Sequence, residues 1–223
     1  MNMYAIFRVF LLVGSFVLMT GCATNRVYVN GFLDREQTKG IEASSAIAII
    51  ENTQVENPIL EKEVQYKIKQ LLTAKGYRVT GVDDAQYVLS YSFGVGPGRT
   101  ISGTMPVYHP GEIIRVDELG DREGRTHTVI QLPSRTEYVP YLQTVYDRWL
   151  TVTLANAESY RKDKVADALW LGEATSSGRN VNIRDEINYL LIGVFENFGL
   201  NTGQQLSVKI RRNDERLQNL LRP

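Results

Sequence analysis

A strict alternation of side chains in residues 144–160 constrains the fold of this chain more than any other feature of its sequence. Apolar residues occupy every second position, and polar or aromatic residues lie between them: Leu150, Val152 and Leu154 against Trp149, Thr151 and Thr153. Successive strand residues point to opposite faces, so this pattern predicts a strand with one buried face. The alternation resumes in residues 169–175 after a charged turn, which predicts an antiparallel hairpin with Trp170 anchoring its face.

Two amphipathic helices are predicted, one on each side of this hairpin in the sequence. The first has Asn57 as its N-cap and ends at Gly76, and its apolar residues recur in one helical stripe. The second runs from about 183 to 198, with Asn182 as its N-cap and Gly199 after it. Each helix therefore has one apolar face to bury.

The remaining periodic segments predict the rest of a sheet. Strands are expected at residues 26–29, 45–50, 77–80, 87–93 and 205–211, and a further hairpin at 113–118 and 126–132. Two helices with five or more strands predict an α+β fold. We expect a mixed, mostly antiparallel sheet with both helices on one face.

The N-terminal segment has the pattern of a signal peptide. Residues 9–19 are uncharged and largely apolar, and they follow a short segment that holds one arginine. A transmembrane helix needs about 20 apolar residues, so this segment is too short to remain as a span. We therefore predict that residues 1–21 are a signal peptide that is removed from the mature chain.

Gly21 and Cys22 follow this segment, and Cys22 is the only cysteine. The sequence resembles the lipobox of bacterial lipoprotein precursors, although Met19 stands where Leu, Val or Ile is usual. The resemblance implies cleavage after Gly21 and acylation of Cys22. It also implies an outer-membrane location facing the periplasm, because Ala23 replaces the aspartate that favours inner-membrane retention. The alternative is an ordinary secretory signal with a chance cysteine.

The mature chain is predicted to form a single domain at residues 45–211. A polar segment, 22–44, is expected to be mostly a tether, and residues 212–223 a polar tail. Glycine and proline interrupt the chain at about 94–140, which predicts an irregular insertion containing the hairpin.

Three short motifs resemble a bacterial lipoprotein domain catalogued as domain of unknown function 4136. They are Ala74-Lys75-Gly76-Tyr77, the segment DAQYVLSY at 84–91, and the segment LWLGEA at 169–174. Their spacing covers roughly residues 45–200. The resemblance implies an envelope lipoprotein and assigns no reaction, ligand or cofactor.

Composition excludes several function classes. The 25 basic and 25 acidic residues balance, so no overall field favours nucleic-acid binding. With one cysteine no intrachain disulfide can form, and with two histidines a His-rich metal site is nearly excluded. The five basic residues in 209–223 exceed the acidic ones by three, which could favour anionic lipid or glycan, although a solvated tail is the simpler interpretation.

The sequence identifies no catalytic, metal-binding or cofactor-binding residues. His109 and His127 lie in the irregular segment without recognisable triad partners. Asp83 and Asp84 are typical of a turn. The glycines of residues 94–98 do not have dinucleotide-loop spacing, and Pro97 lacks an amide that such a loop needs.

Three functions remain open. The first is a lipid-anchored structural or adaptor module that binds membrane lipid through acylated Cys22 and an envelope protein through tyrosines in the irregular segment. These are Tyr108, Tyr138, Tyr141 and Tyr146. The second is a periplasmic binding domain for a lipid or glycan fragment. The third, a hydrolase, has no nucleophile that can be named.

Overall fold

The computed structural model describes residues 24–38, 40–51, 57–118, 126–163 and 167–221. The chain divides into two compact units. Unit 1 comprises Met1–Gly96 and Asp147–Pro223, and unit 2 comprises Pro97–Tyr146. The predicted α+β class is confirmed: a mixed, mostly antiparallel sheet carries both long helices on one face.

The elements are numbered in chain order. The strands are β1 Thr24–Leu33, β2 Ala46–Ile49, β3 Arg78–Val79, β4 Tyr87–Val95, β5 Arg99–His109, β6 Ile113–Glu118, β7 Thr126–Gln131, β8 Arg135–Asn156, β9 Ala168–Gly178 and β10 Leu206–Arg211. The helices are α1 Pro58–Ala74, α2 Ala157–Asp163, α3 Ile183–Glu196 and α4 Glu215–Leu221.

The sheet of unit 1 has the spatial order β10-β1-β9-β8-β4-β2-β3. β2 pairs in parallel with both β3 and β4, so α1 connects two parallel strands. The pairs β1–β10, β1–β9 and β4–β8 are antiparallel. β8 continues into unit 2, where its first half pairs with β5 and where β6 and β7 form the predicted hairpin.

Both long helices begin at the caps that the sequence predicts. The Asn57 side chain accepts a hydrogen bond from the amide of Leu60 at 3.0 Å, and the Asn182 side chain accepts one from the amide of Arg184 at 3.0 Å. Gly76 follows α1 with φ +87°. The apolar stripes of α1 and α3 share one core with the sheet, which makes them a single layer over it.

Trp170 anchors the buried face of β9, as predicted. The side chain is 1% exposed, and its Nε1 donates a hydrogen bond to the carbonyl oxygen of Leu200 at 3.0 Å. Its ring makes an edge contact with Phe198, with centroids 4.8 Å apart. Because a buried indole N–H needs an acceptor, this bond fixes the loop after α3 to the sheet.

The prediction of a tether at residues 22–44 was wrong for residues 24–33. These residues form β1, a strand with hydrogen-bonded neighbours on both sides, and not the short segment 26–29 that was expected. Val27 and Val29 point into the core and are 0% and 1% exposed. The first described residues are therefore an integral part of the sheet.

Three further boundaries differ from the predictions. The segment 94–140 is not irregular throughout, because β5 and the first half of β8 pair over eleven residues. The charged turn after β8 begins as helix α2, so the strand ends at Asn156. The polar tail contains α4, whose Leu217 and Leu220 are buried in the core of unit 1.

Candidate functional surfaces

The described chain begins close to the predicted lipidation site. Gly21 and Cys22 lie outside the described residues, and β1 starts at Thr24. A single residue, Ala23, lies between Cys22 and β1. Two residues span at most about 7 Å, so the start of β1 lies that close to the cysteine. None of the described helices is long and apolar enough to cross a membrane.

Three basic side chains cluster at this end of the sheet, and we call them the anchor-end cations: Arg26, Lys209 and Arg211. Arg26 is directly opposite Lys209 in the β1–β10 pair, and Thr24 is opposite Arg211. Opposed residues in an antiparallel pair project to the same face, so all three lie on the face that points away from α1 and α3. All three side chains are exposed.

Only part of this cluster is evident from the sequence. Lys209 and Arg211 belong to the basic C-terminal segment, but Arg216 of the same segment pairs with Asp214 at 2.8 Å and with Glu196 at 2.9 Å. Arg26 was missed because the short strand expected at residues 26–29 does not reveal which strand it pairs with. Its position opposite Lys209 follows only from the register of β1 and β10.

A buried polar cluster joins this end of the sheet to α3. Arg148 is 4% exposed, and its Nη1 lies 3.3 Å from Glu186 Oε1 and 3.3 Å from the carbonyl oxygen of Asn180. The Asn25 amide donates to Glu186 Oε2 at 3.3 Å. A buried guanidinium is stable only beside a charged partner, so this cluster holds β1, β8 and α3 together.

An open groove of about 750 Å³ lies at the other end of β1. Its residues come from the end of β1, the segment after it, and the loops that follow α1 and α3: Leu33, Arg35, Thr38, Gly40, Ile41, Tyr77, Phe198, Gly199, Leu200 and Asn201. The rings of Tyr77 and Phe198 meet edge to face with centroids 5.3 Å apart. The lining is mixed, because Arg35, Thr38 and Asn201 lie beside the aromatic and aliphatic side chains.

Unit 2 exposes large apolar side chains on its β5–β8 ribbon. Tyr138 is 67% exposed and Leu142 is 77% exposed, and their alternation places both on one face of β8. Tyr108, opposite Thr136, lies on the same face and is also exposed. A two-stranded ribbon with an uncovered apolar face is marginally stable by itself.

The two histidines of unit 2 lie in different strands, His109 at the end of β5 and His127 in β7. His109 Nε2 lies 3.2 Å from Glu137 Oε2, and both side chains are well exposed. His127 lies in β7, opposite Asp117 in the hairpin register. No cluster of three His, Cys, Asp or Glu side chains that could hold a metal ion is found among the described residues.

The remaining sequence motifs have structural roles. Asp83 and Asp84 belong to a single 3₁₀ turn, and the Arg161 guanidinium donates hydrogen bonds to the carbonyl oxygens of Val82 at 2.8 Å and Asp83 at 3.4 Å. Gly94 lies in β4 and not in a phosphate-binding loop. A β-carbon there would stand 3.0 Å from the Trp149 ring, so the glycine makes room for that side chain.

One carboxyl group in unit 1 is buried at α1. Burial raises the pKa of Glu61, and a hydrogen bond with Tyr91 partly opposes this. Burial also raises the pKa of Tyr91, whose hydroxyl donates to the main-chain oxygen of Glu61 at 3.3 Å. Glu61 Oε1 has no hydrogen-bond partner. The pair lies beneath α1 and faces neither the groove nor the anchor-end cations.

No family model matches this chain, and no curated protein matches it. Among solved structures it is similar to a PDZ domain protein from Parabacteroides distasonis, with 12% identity and a TM-score of 0.44 over 88% of this chain. This chain spans 41% of the length of that protein. It is also similar to the PelC dodecamer from Paraburkholderia phytofirmans, with 12% identity and a TM-score of 0.38 over 78% of this chain and 99% of PelC. The function of the present chain is therefore argued from its own residues.

Proposed function

We propose that this chain is a lipid-anchored lipoprotein of the cell envelope that acts as an adaptor and not as an enzyme. Acyl chains on Cys22 would hold it at the periplasmic face of the outer membrane. The observation that carries the proposal is the lipobox-like sequence ending at Cys22, immediately before β1. Membership in the lipoprotein domain of unknown function 4136 is part of the same proposal.

The short link between Cys22 and β1 supports this anchoring. An acylated N-terminus needs no tether when the first strand can begin at the bilayer surface. Two or three acyl chains are required for lasting attachment, since one chain gives only reversible binding. Unit 1 would then be held at the membrane by the strand that lies between β9 and β10.

Anchoring is tested by metabolic labelling of the full precursor with a radioactive fatty acid. The label should appear on the wild-type chain and be lost in Cys22→Ser, which should also leave the membrane fraction. An unlabelled wild-type chain, or a Cys22→Ser chain that stays in the membrane, would reject the anchoring.

The adaptor role is supported by the uncovered apolar face of the β5–β8 ribbon. A ribbon of this kind gains stability when another protein covers it, and exposed aromatic side chains are enriched at such interfaces. We therefore propose that Tyr138 and Leu142 contact an envelope protein.

In vivo cross-linking followed by purification from detergent-solubilised membranes tests this role. A specific partner should be recovered with the wild-type chain and lost with Tyr138→Ser/Leu142→Ser. The matched control Ile59→Ser/Tyr66→Ser removes two exposed apolar side chains of α1 and should retain the partner. Equal recovery with both double variants would argue against the ribbon as the interface.

The groove at the end of β1 favours a second candidate function, a binding domain for a lipid or glycan fragment. Its volume suits a small ligand, and its lining combines aromatic rings with Arg35 and Asn201. Native mass spectrometry of the chain purified from membranes should then show a retained small molecule.

Filling the groove supplies the control for this candidate. Leu200 lines the groove and is 57% exposed, so Leu200→Trp should displace the ligand without disturbing the core. Leu221→Trp changes a similarly exposed leucine outside the groove and should retain it. The absence of any bound molecule in the wild-type chain would reject this function.

A further inference from the structure

We propose that the anchor-end cations form a binding surface for anionic phospholipid headgroups, which fixes unit 1 against the bilayer. This inference rests on the proposed acylation of Cys22 and names the partner of that end of the molecule. It concerns Arg26, Lys209 and Arg211, which no recognised motif includes.

Placement is the first support. Thr24 lies within about 7 Å of Cys22, and its opposite residue in the sheet is Arg211, at a Cα separation of about 5 Å. Arg26 is two strand residues farther on, about 7 Å along β1. The screening length at physiological salt is about 8 Å. Arg211 therefore lies within roughly one to two screening lengths of Cys22. Arg26, at most about 14 Å along the chain from Cys22, lies within about two, and Lys209 is directly opposite it.

The arrangement of charge is the second support. Arg26 and Lys209 are directly opposed on an exposed face, and like charges in this position destabilise a strand pair. Among the described residues, no hydrogen bond or ion pair compensates any of the three anchor-end cations. An external anion would therefore relieve a repulsion that the protein itself leaves in place.

Carboxylates on the same face are engaged elsewhere or lie farther away, and Asp147 accepts a hydrogen bond from the Ser177 hydroxyl. Opposite Tyr28 the face carries Thr175, and the first carboxylate on β9 is Glu173, opposite Asn30. Asn30 is four residues beyond Arg26, a distance of about 13 Å along the strand. By contrast, Lys67, Arg184 and Arg216 in unit 1 each have an acidic partner. Within the part of the chain that the structure describes, the anchor-end cations share the lack of an acidic partner with other exposed basic residues such as Lys62 and Lys69, and differ from them in lying next to the predicted anchor.

Partitioning onto vesicles tests the inference. The mature chain is prepared with one palmitoyl chain coupled chemically to Cys22, because a single chain binds reversibly and leaves added attraction measurable. Each basic side chain at an anionic surface contributes about a fivefold gain, so three give roughly 100-fold. We therefore expect the chain to partition more strongly, by this factor, onto phosphatidylethanolamine/phosphatidylglycerol (3:1) vesicles than onto phosphatidylcholine vesicles. This preference should decrease as the salt concentration rises.

Charge removal supplies the specific variant and its control. Arg26→Gln/Lys209→Gln/Arg211→Gln should abolish the preference, whereas Lys62→Gln/Lys69→Gln/Lys75→Gln removes the same charge from exposed positions on and after α1 and should retain it. The first variant should also be at least as stable as wild type in urea, since it removes the Arg26–Lys209 repulsion.

Several outcomes would overturn the inference. These are equal partitioning of wild type onto both vesicles, an equal loss in the two triple variants, and binding to a soluble anionic glycan without binding to the anionic vesicles. Chemical coupling makes the result independent of acylation in cells. A bare Cys22 in cells would therefore reject the proposed function without deciding the vesicle result.

Discussion

At the residue scale, the close contact between Gly172 and Trp170 limits what β9 can accept. The two residues are separated by one position, so both project to the same face of the strand. A β-carbon on Gly172 would stand 2.2 Å from the Trp170 ring. That ring cannot move freely because its Nε1 donates a hydrogen bond to the carbonyl oxygen of Leu200. The glycine of the LWLGEA motif therefore has a packing role.

Gly172→Ala should lower the free energy of unfolding by about 1–3 kcal/mol, the usual cost of inserting a methyl group into a packed site. Gly81→Ala is the matched control, because no atom lies within 4 Å of its added carbon. Its effect should stay within about 0.5 kcal/mol. Urea denaturation of both variants measures the difference, and equal effects would contradict the packing role.

Glu61 gives a second prediction at this scale, concerning pH. Its pKa is raised in the folded chain, so folding favours the protonated form. Its contribution to stability is greatest below the pKa of the unfolded chain and is lost as pH rises through the folded pKa. Glu61→Gln should therefore stabilise the protein relative to wild type at neutral pH. The advantage should decrease as the pH is lowered toward 4.

Urea denaturation at a series of pH values measures this difference directly. Comparing each variant with wild type at the same pH cancels carboxyl groups that respond in the opposite sense, such as Glu63, whose pKa the Lys67 ammonium lowers. An advantage of Glu61→Gln that grows on acidification would refute the burial argument.

At the element scale, β1 decides whether unit 1 can fold. It supplies Val27 and Val29 to the core, and both of its edges are paired. Gly193 of α3 packs directly over these two valines. Removing β1 would leave β10 without a neighbouring strand, expose one edge of β9 and open the core beneath α3.

A mature chain that begins at Ser45 should therefore lose cooperative unfolding, whereas one that begins at Ala23 should retain it. Far-UV and near-UV circular dichroism during a urea titration distinguishes the two. A sharp, coincident transition in the shorter chain would show that β1 is dispensable, as a tether would be.

Local sequence could predict the elements whose pattern is complete within a few residues. The caps at Asn57 and Asn182 and the alternation around Leu150 are of this kind, and they gave both helices and the central strand. Only residues 26–29 of β1 were predicted as strand, because polar residues and Gly31 surround its two valines. Its partners β9 and β10 are far away in the sequence, and such pairing leaves no local signal.

The same distinction holds for the candidate surfaces. Cys22 is found from adjacent residues, whereas the Arg26–Lys209 pair requires the register of two distant strands. The groove joins Leu33 to Leu200 and is likewise invisible in one segment. In unit 2, Gly103, Pro106 and Pro140 concealed a regular strand pair, because these residues usually mark turns.

At the scale of the whole molecule, unit 2 is inserted between two neighbouring points of unit 1. The amide of Gly96 donates to the carbonyl oxygen of Asp147 at 2.7 Å, and Val95 is opposite Arg148. The chain thus leaves and re-enters the sheet within one strand pair. A two-residue turn could close this position.

Replacing Pro97–Tyr146 with Asn-Gly should leave unit 1 folded, with a urea midpoint equal to or above that of wild type, because a shorter loop costs less closure entropy. Hydrogen exchange should show unchanged protection in β4, β9 and α3. Loss of that protection would show that unit 1 depends on unit 2.

The single residue between Cys22 and β1 sets how far the protein can act. A flexible linker as long as residues 22–44 would allow a domain to move about 25 Å away from its attachment point. With acyl chains on Cys22 as proposed, unit 1 instead stays at the membrane surface and diffuses only in the plane of the bilayer. A binding partner of unit 1 must therefore itself reach the membrane surface, and lateral diffusion then governs how often the two meet.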